Sequence, residues 1–114
     1  MISLRLLIEY GAYPLWIYDE EDGGVIDTVL PEEWEDDTEL SDMLDTIQDQ
    51  YEALFINNEK EFSFVGFKSR EDYIAFVALV EKAIQRIYEK NNGKYLIRNS
   101  IDSAFFECLY TGEQ

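Results

Sequence analysis

The stretch ELSDMLDTIQDQYEALF, residues 39–55, decides how this chain is read. Leu40, Leu44, Ile47, Tyr51 and Leu54 recur at alternating steps of four and three residues. That spacing lays a single apolar stripe along an α-helix. Thr38 stands where an N-cap belongs, and the acids that follow it suit the positive end of the helix dipole. Asn57 and Asn58 are the expected stop. Asp42, Asp45, Asp49 and Glu52 step by three, four and three, so they share one face. Residues 40 and 42 lie about 200° apart around the axis, which sets this acidic ridge opposite the apolar stripe. No Lys or Arg follows any of the four at the next turn. Each like-charge pair costs a few tenths of a kcal/mol in an isolated helix, so local stability gains nothing from the arrangement. The ridge therefore reads as a docking face, against the plainer alternative of a solvated one.

Outward from this helix, both flanks carry strand patterns. Ile2, Leu4, Leu6 and Ile8 alternate with Ser3, Arg5 and Leu7, the period of a strand with one buried face. Leu15–Tyr18 and Val25–Ile26 flank a loop ending in Gly23–Gly24, a hairpin signal. Phe62–Phe67 reads as a further strand. Ser69 heads a second helix with Tyr73, Phe76, Val77, Val80, Ile84, Ile87 and Tyr88 on one face, ending at Asn91–Gly93. Tyr95–Ile97 reads as a strand, and Ser103–Tyr110 fits a strand or a short helix equally. The order predicts an α+β fold for residues 1–114 as a single domain: a mostly antiparallel sheet of four to five strands with two main helices against it. At this length one core suffices, and the apolar fraction of 46% with 15% aromatics disfavours disorder.

The net charge of −16 is confined to one region. Asp19 to Glu61 holds seventeen acids against one base, Lys60, whereas the segments on either side are each neutral. Confinement of this kind points to a basic partner, and it argues against direct binding of nucleic acid or an anionic membrane. Just before the first helix, Glu32–Asp37 sets Trp34 among five acids. Glu33, Trp34, Asp36 and Asp37 thus join Asp42, Asp45, Asp49 and Glu52 as the expected partner-binding residues, with Trp34 as anchor. The competing reading packs Trp34 on the core as a hydrophobic staple. Tyr13, Trp16 and Tyr18 either extend the surface or alternate between core and solvent in the hairpin. Lys82, Arg86 and Lys90 form a basic stripe on the second helix, expected to be exposed alongside Glu81 and Glu89, with docking on the acidic region as the alternative.

Chemistry finds little equipment. There is no histidine, which removes the commonest general base and the usual transition-metal ligand. Counted from Asp19, the positions a calcium loop needs at five and twelve hold Gly23 and Leu30, so that motif fails. No metal, cofactor or catalytic residue is expected. Cys108, the one cysteine, cannot form an intrachain disulfide and is expected to be a small buried residue in a reducing compartment. The N-terminus lacks the pattern of a signal peptide, and no run approaches the ~20 apolar residues of a membrane span. A cytoplasmic protein is expected.

At Glu9–Asp19 and Leu30–Trp34 the chain resembles small acidic immunity proteins of bacterial polymorphic or contact-dependent toxin systems. The resemblance covers the first two-thirds of the chain, rests on size, acidity and overall style, and carries no residue roles across. It implies a cytoplasmic protein that binds one toxin domain and blocks it. Independently, an acidic plug would compete for the basic cleft of a nuclease and be steered to it quickly. Two other function classes share parts of this pattern. A DNA mimic or regulatory adaptor would bind several basic host proteins. A small carboxylate-dependent enzyme would need a deep pocket lined by acids with raised pKa values.

Overall fold

A computed structural model describes residues 2–111. Its elements are β1 (Ile2–Leu6), β2 (Leu15–Asp19), β3 (Gly24–Asp27), a 3₁₀ turn (Glu32–Trp34), α1 (Thr38–Glu52), β4 (Phe55–Asn57), β5 (Phe62–Phe64), α2 (Arg70–Asn91), β6 (Leu96–Asn99) and α3 (Ser103–Glu107). The fold is α+β, as expected. Four strands form one sheet in the order β3-β2-β1-β6, and β4 and β5 form a separate two-stranded hairpin. β1 pairs antiparallel with β2 but parallel with β6, so the main sheet is mixed. A parallel pair needs a long crossover, and everything between β1 and β6, including the ~33 Å of α2, supplies it.

One face of the sheet and both long helices share a single core. Leu4, Leu6 and Leu15 are fully buried, and Ile17 and Ile97, opposite Leu4, complete that face. Against it lie Leu40, Leu44 and Ile47 from α1 and Phe76, Val80, Ala83 and Ile87 from α2. The stripe read from residues 40–54 is thus the buried one, with Met43 added. On α2, Tyr88 departs from its expected face and is exposed, while Ala83 and Asn91 turn inward. Asn91 closes the passage into β6: its amide donates to the carbonyl of Tyr95 (2.9 Å) and its carbonyl accepts from the Tyr95 N–H (2.8 Å). No helix among the described residues is long and apolar enough to cross a membrane.

Several local expectations are corrected. Asp37, and not Thr38, caps α1, accepting from the Leu40 N–H at 3.1 Å. The helix ends at Glu52 because Phe55 enters β4, before the asparagines are reached. Asn58 serves a turn: its side chain accepts from the N–H groups of Lys60 and Glu61. Phe62–Phe64 therefore folds back on β4 and does not join the main sheet. Gly66 then breaks the strand with φ +72°, and a Cβ there would stand 2.7 Å from Thr111 Cγ2 and 2.8 Å from the Leu109 carbonyl. Residues 103–107 are helical, and Cys108, following them, is exposed where a buried residue was expected.

In the basic stripe of α2, Lys82 is exposed as expected, whereas Arg86 and Lys90 dock on the acidic region. Arg86 donates to both oxygens of Asp37, through Nη2 at 2.8 Å and Nε at 3.0 Å, and Lys90 Nζ lies 3.3 Å from Oδ2. The Asp37 side chain is only 7% exposed against 38% for Arg86. The Arg86 guanidinium, with the Leu40 N–H, holds the Asp37 carboxyl at about 2 against burial, which pushes the other way. The unfolded carboxyl binds its proton first as pH falls. The stabilisation is therefore complete well above pH 4 and is lost as pH drops from about 4 toward 2.

Two variants separate the roles of this residue. Asp37→Asn keeps a capping side chain but gives up the charge, whereas Asp37→Ala loses both. We expect the alanine variant to cost about 2–4 kcal/mol in urea melts at neutral pH, combining a lost cap with lost charged hydrogen bonds. The asparagine variant should cost less, and both should show a flatter decline in stability between pH 4 and 2 than the wild type. Leu44→Ala and Ile47→Ala, emptying fully packed sites, should each cost about 2–4 kcal/mol with no change in that pH profile.

Candidate protein-binding face

α1 turns its stripe inward, so the residues between stripe positions face solvent. Asp42, Asp45 and Asp49 are exposed together. No salt bridge to any of the three is formed among the described residues. Glu52, the fourth acid of the ridge, is half-buried and occupied: its Oε2 accepts from the Gly11 N–H at 2.7 Å and from Gln48 Nε2 at 3.3 Å. It pins the β1–β2 loop to the end of α1.

The upstream segment divides similarly. Trp34 is buried and packs edge-on against Tyr95, with ring centroids 6.0 Å apart, so it belongs to the core and is not an exposed anchor. Glu33 receives Lys94 Nζ at 2.6 Å and the Tyr95 hydroxyl, and these bonds hold its carboxyl down at about 2. Asp37 is committed to Arg86 and Lys90. Of the four expected residues in this segment, only Asp36 stays free at the surface beside α1. The reason lies in α2 and the turn after it, whose cations Arg86, Lys90 and Lys94 face the segment.

Beside Asp45 the surface is concave. Tyr13, Val29, Leu30, Glu35, Ser41 and Asp45 line a depression of about 250 Å³. Leu30 is buried and forms apolar wall, whereas Glu35 and Asp45 are exposed. Burial raises the pKa of the Tyr13 hydroxyl, a hydrogen bond from Ser41 opposes this, and the Asp45 charge adds to it. A long cationic side chain would find apolar wall for its stem and two carboxylates for its head.

The sheet face opposite Leu4 and Leu6 carries Arg5, Trp16 and Tyr18. Arg5 stacks over the Tyr18 ring at 4.3 Å and donates to its hydroxyl at 3.3 Å, and Trp16 lies parallel to Tyr18 at 6.4 Å. Arg98 donates to Glu20 at 2.9 Å, and with Ser3 it lowers the Glu20 pKa. Tyr13 thus sits by the acidic ridge, whereas Trp16 and Tyr18 are on the outer sheet face.

A depression of about 440 Å³ between α1 and the start of α2 holds one carboxylate, Asp72, beside Gln50 and Lys68. Among the described residues every carboxyl group with a resolved shift moves down, the opposite direction from a general acid. Also among the described residues, no group of three or more His, Cys, Asp or Glu is placed to hold a metal ion.

Sequence reasoning missed an aromatic surface on the β4–β5 hairpin. Phe62–Phe67 was read only as a further strand, yet Phe62 and Phe64 are both exposed. The three-residue length of each strand and the Asn58 turn, visible only as local chemistry, place them there. No protein-family model matches the chain, and no curated protein matches it.

Replacing Asp42, Asp45 and Asp49 together with Asn should leave stability in urea melts unchanged or raise it by a few tenths of a kcal/mol, since only repulsion is removed. Glu52→Gln should not stabilise, because it weakens the tie to Gly11.

Proposed function

We propose that this is an acidic inhibitory binding protein that captures a basic protein partner, most specifically an immunity protein that neutralises a cognate toxin by occluding its active site or substrate cleft. The observation that carries the reading is the exposed, one-signed face of Asp42, Asp45 and Asp49 with no compensating cation among the described residues. Stability does not account for this face, because like charges on a helix cost free energy. A nuclease toxin, whose own substrate is a polyanion, presents the complementary surface. The depression beside Asp45 offers a receptacle for one Lys or Arg of that partner. Glu33, Trp34 and Asp37 support the face from behind, and Asp36 extends it. The proposed setting is cytoplasmic, where such a toxin would act on its producer.

Co-expression with the product of the adjacent upstream gene tests the reading. Growth rescue and co-purification of a one-to-one complex are expected. A neighbour that encodes no toxin, together with failure to rescue growth from candidate toxins, would overturn it. A complex displaced by unrelated duplex DNA, or several unrelated basic partners, would instead favour the DNA mimic. Within a confirmed complex, exposed charges set the association rate and buried contacts set dissociation. The Asp42, Asp45, Asp49 triple Asn variant should associate about tenfold more slowly at low salt in stopped-flow, with a flatter salt dependence. An unchanged rate would remove α1 from the interface.

A further inference from the structure

The hairpin supplies what the acidic face lacks, an apolar centre. Register places Phe55, Asn57, Phe62 and Phe64 on one side of the two strands. Tyr10, from the β1–β2 loop, closes on that side with its ring 4.9 Å from Phe62 and 5.1 Å from Phe55. Phe55 stacks on Phe62 at 5.3 Å and lies 5.2 Å from Phe64. Despite this mutual packing, Phe62 is 56%, Phe64 40% and Tyr10 39% exposed. Ile56, on the reverse side, is 38% exposed. A cluster of large exposed rings costs free energy in water and marks an interaction site.

The cluster is held in shape before any partner arrives. Asn57 Nδ2 donates to the Tyr10 hydroxyl at 2.9 Å, and Glu52 fixes the adjacent Gly11 N–H. Rings already ordered lose little conformational freedom on binding, so burying them favours association. Glu52 lies next to Tyr10 through its bond to the Gly11 N–H, Glu59 and Glu61 belong to the hairpin turn with Lys60 as the only base in that stretch, and Asp49 lies one turn before Glu52 on α1. The acidic ridge thus ends at Glu52, whose carboxylate accepts from the N–H next to Tyr10 of the cluster.

We propose that the Tyr10–Phe62–Phe64 cluster is the apolar anchor of the partner-binding surface, and that it takes an apolar side-chain group flanked by Lys or Arg on a basic protein. This rests on the basic-partner reading above. Charge selects this occupant over a second copy of the chain, which would bring −16 against −16 with the acids of both hairpins facing each other.

The test uses the whole protein with two synthetic probes, an amphipathic Leu/Lys peptide and an oligolysine of equal charge. The wild type should bind the amphipathic peptide about tenfold more tightly. In ¹H–¹⁵N spectra that peptide alone should shift the amides of Ile56, Asn57 and Phe62. The double variant Phe62→Ala/Phe64→Ala should lose the preference while binding oligolysine as before. The Asp42, Asp45, Asp49 triple Asn variant should weaken both probes and keep the preference. Equal binding of both probes by the wild type, or shifts elsewhere on the surface, would overturn the anchor and leave the basic-partner reading standing. No binding of either probe would remove both. A wild-type dimer that the double variant dissociates would replace the basic occupant with a second copy.

Discussion

The arrangement turns on one carboxylate. Asp37 begins α1, is almost wholly removed from solvent, and accepts from the Leu40 N–H, Arg86 and Lys90 at once. A charge in that position is tolerable only when its hydrogen-bonding capacity is filled. The cap holds the start of α1, and the bidentate guanidinium ties that start to the last turns of α2. Since the sheet is covered on one face by these two helices, their mutual placement sets where Leu44 and Ile47 meet Val80 and Ile87. It also sets the rotation of α1 and hence the direction in which Asp42, Asp45 and Asp49 point.

Seen from this pair, the acidic block sorts into two populations. Arg86, Lys90, Lys94 and Arg98 recur every four residues through the end of α2, the turn and β6. Each of them meets an acid from the first forty residues: Asp37 and Glu39, Asp37, Glu33, and Glu20 respectively. The neutrality of residues 62–114 in the sequence is therefore deceptive. Four of its seven bases face the acidic block, while its own acids are left elsewhere. Asp42, Asp45 and Asp49 on α1 meet no cation among the described residues.

The core was legible because period is a property of sequence. The spacing of Leu40, Leu44, Ile47 and Tyr51 admits one buried face, and Ser69 announces α2 through a side chain that does accept from the Asp72 N–H. Strand partners were less legible, because the pattern of β1 says which side chains are buried but not which neighbours flank it or in what direction. The site was readable where it depended on helix geometry, as for Asp42, Asp45 and Asp49. It was unreadable where it depended on contacts between distant segments. Glu52 answers to Gly11, Glu33 to Lys94 and Tyr95, and Asp37 to Arg86, at separations of 41, 61, 62 and 49 residues. The aromatic surface was hidden for a related reason. Phe62 and Phe64 carry the composition of a core strand, and only their pairing with a three-residue partner leaves them outside.

Separating committed from free acids also separates what salt does to each. Asp37 sits largely out of solvent, so mobile ions screen its contacts only weakly. Repulsion among Asp42, Asp45 and Asp49 acts through water and fades within a Debye length of about 8 Å at physiological ionic strength. Added salt therefore relieves a cost to folding while barely loosening the clasp between the helices, and it weakens long-range attraction to a cation. Folding and the proposed capture would respond in opposite directions because they draw on different carboxylates. A surface built this way can be strongly charged without the fold depending on that charge.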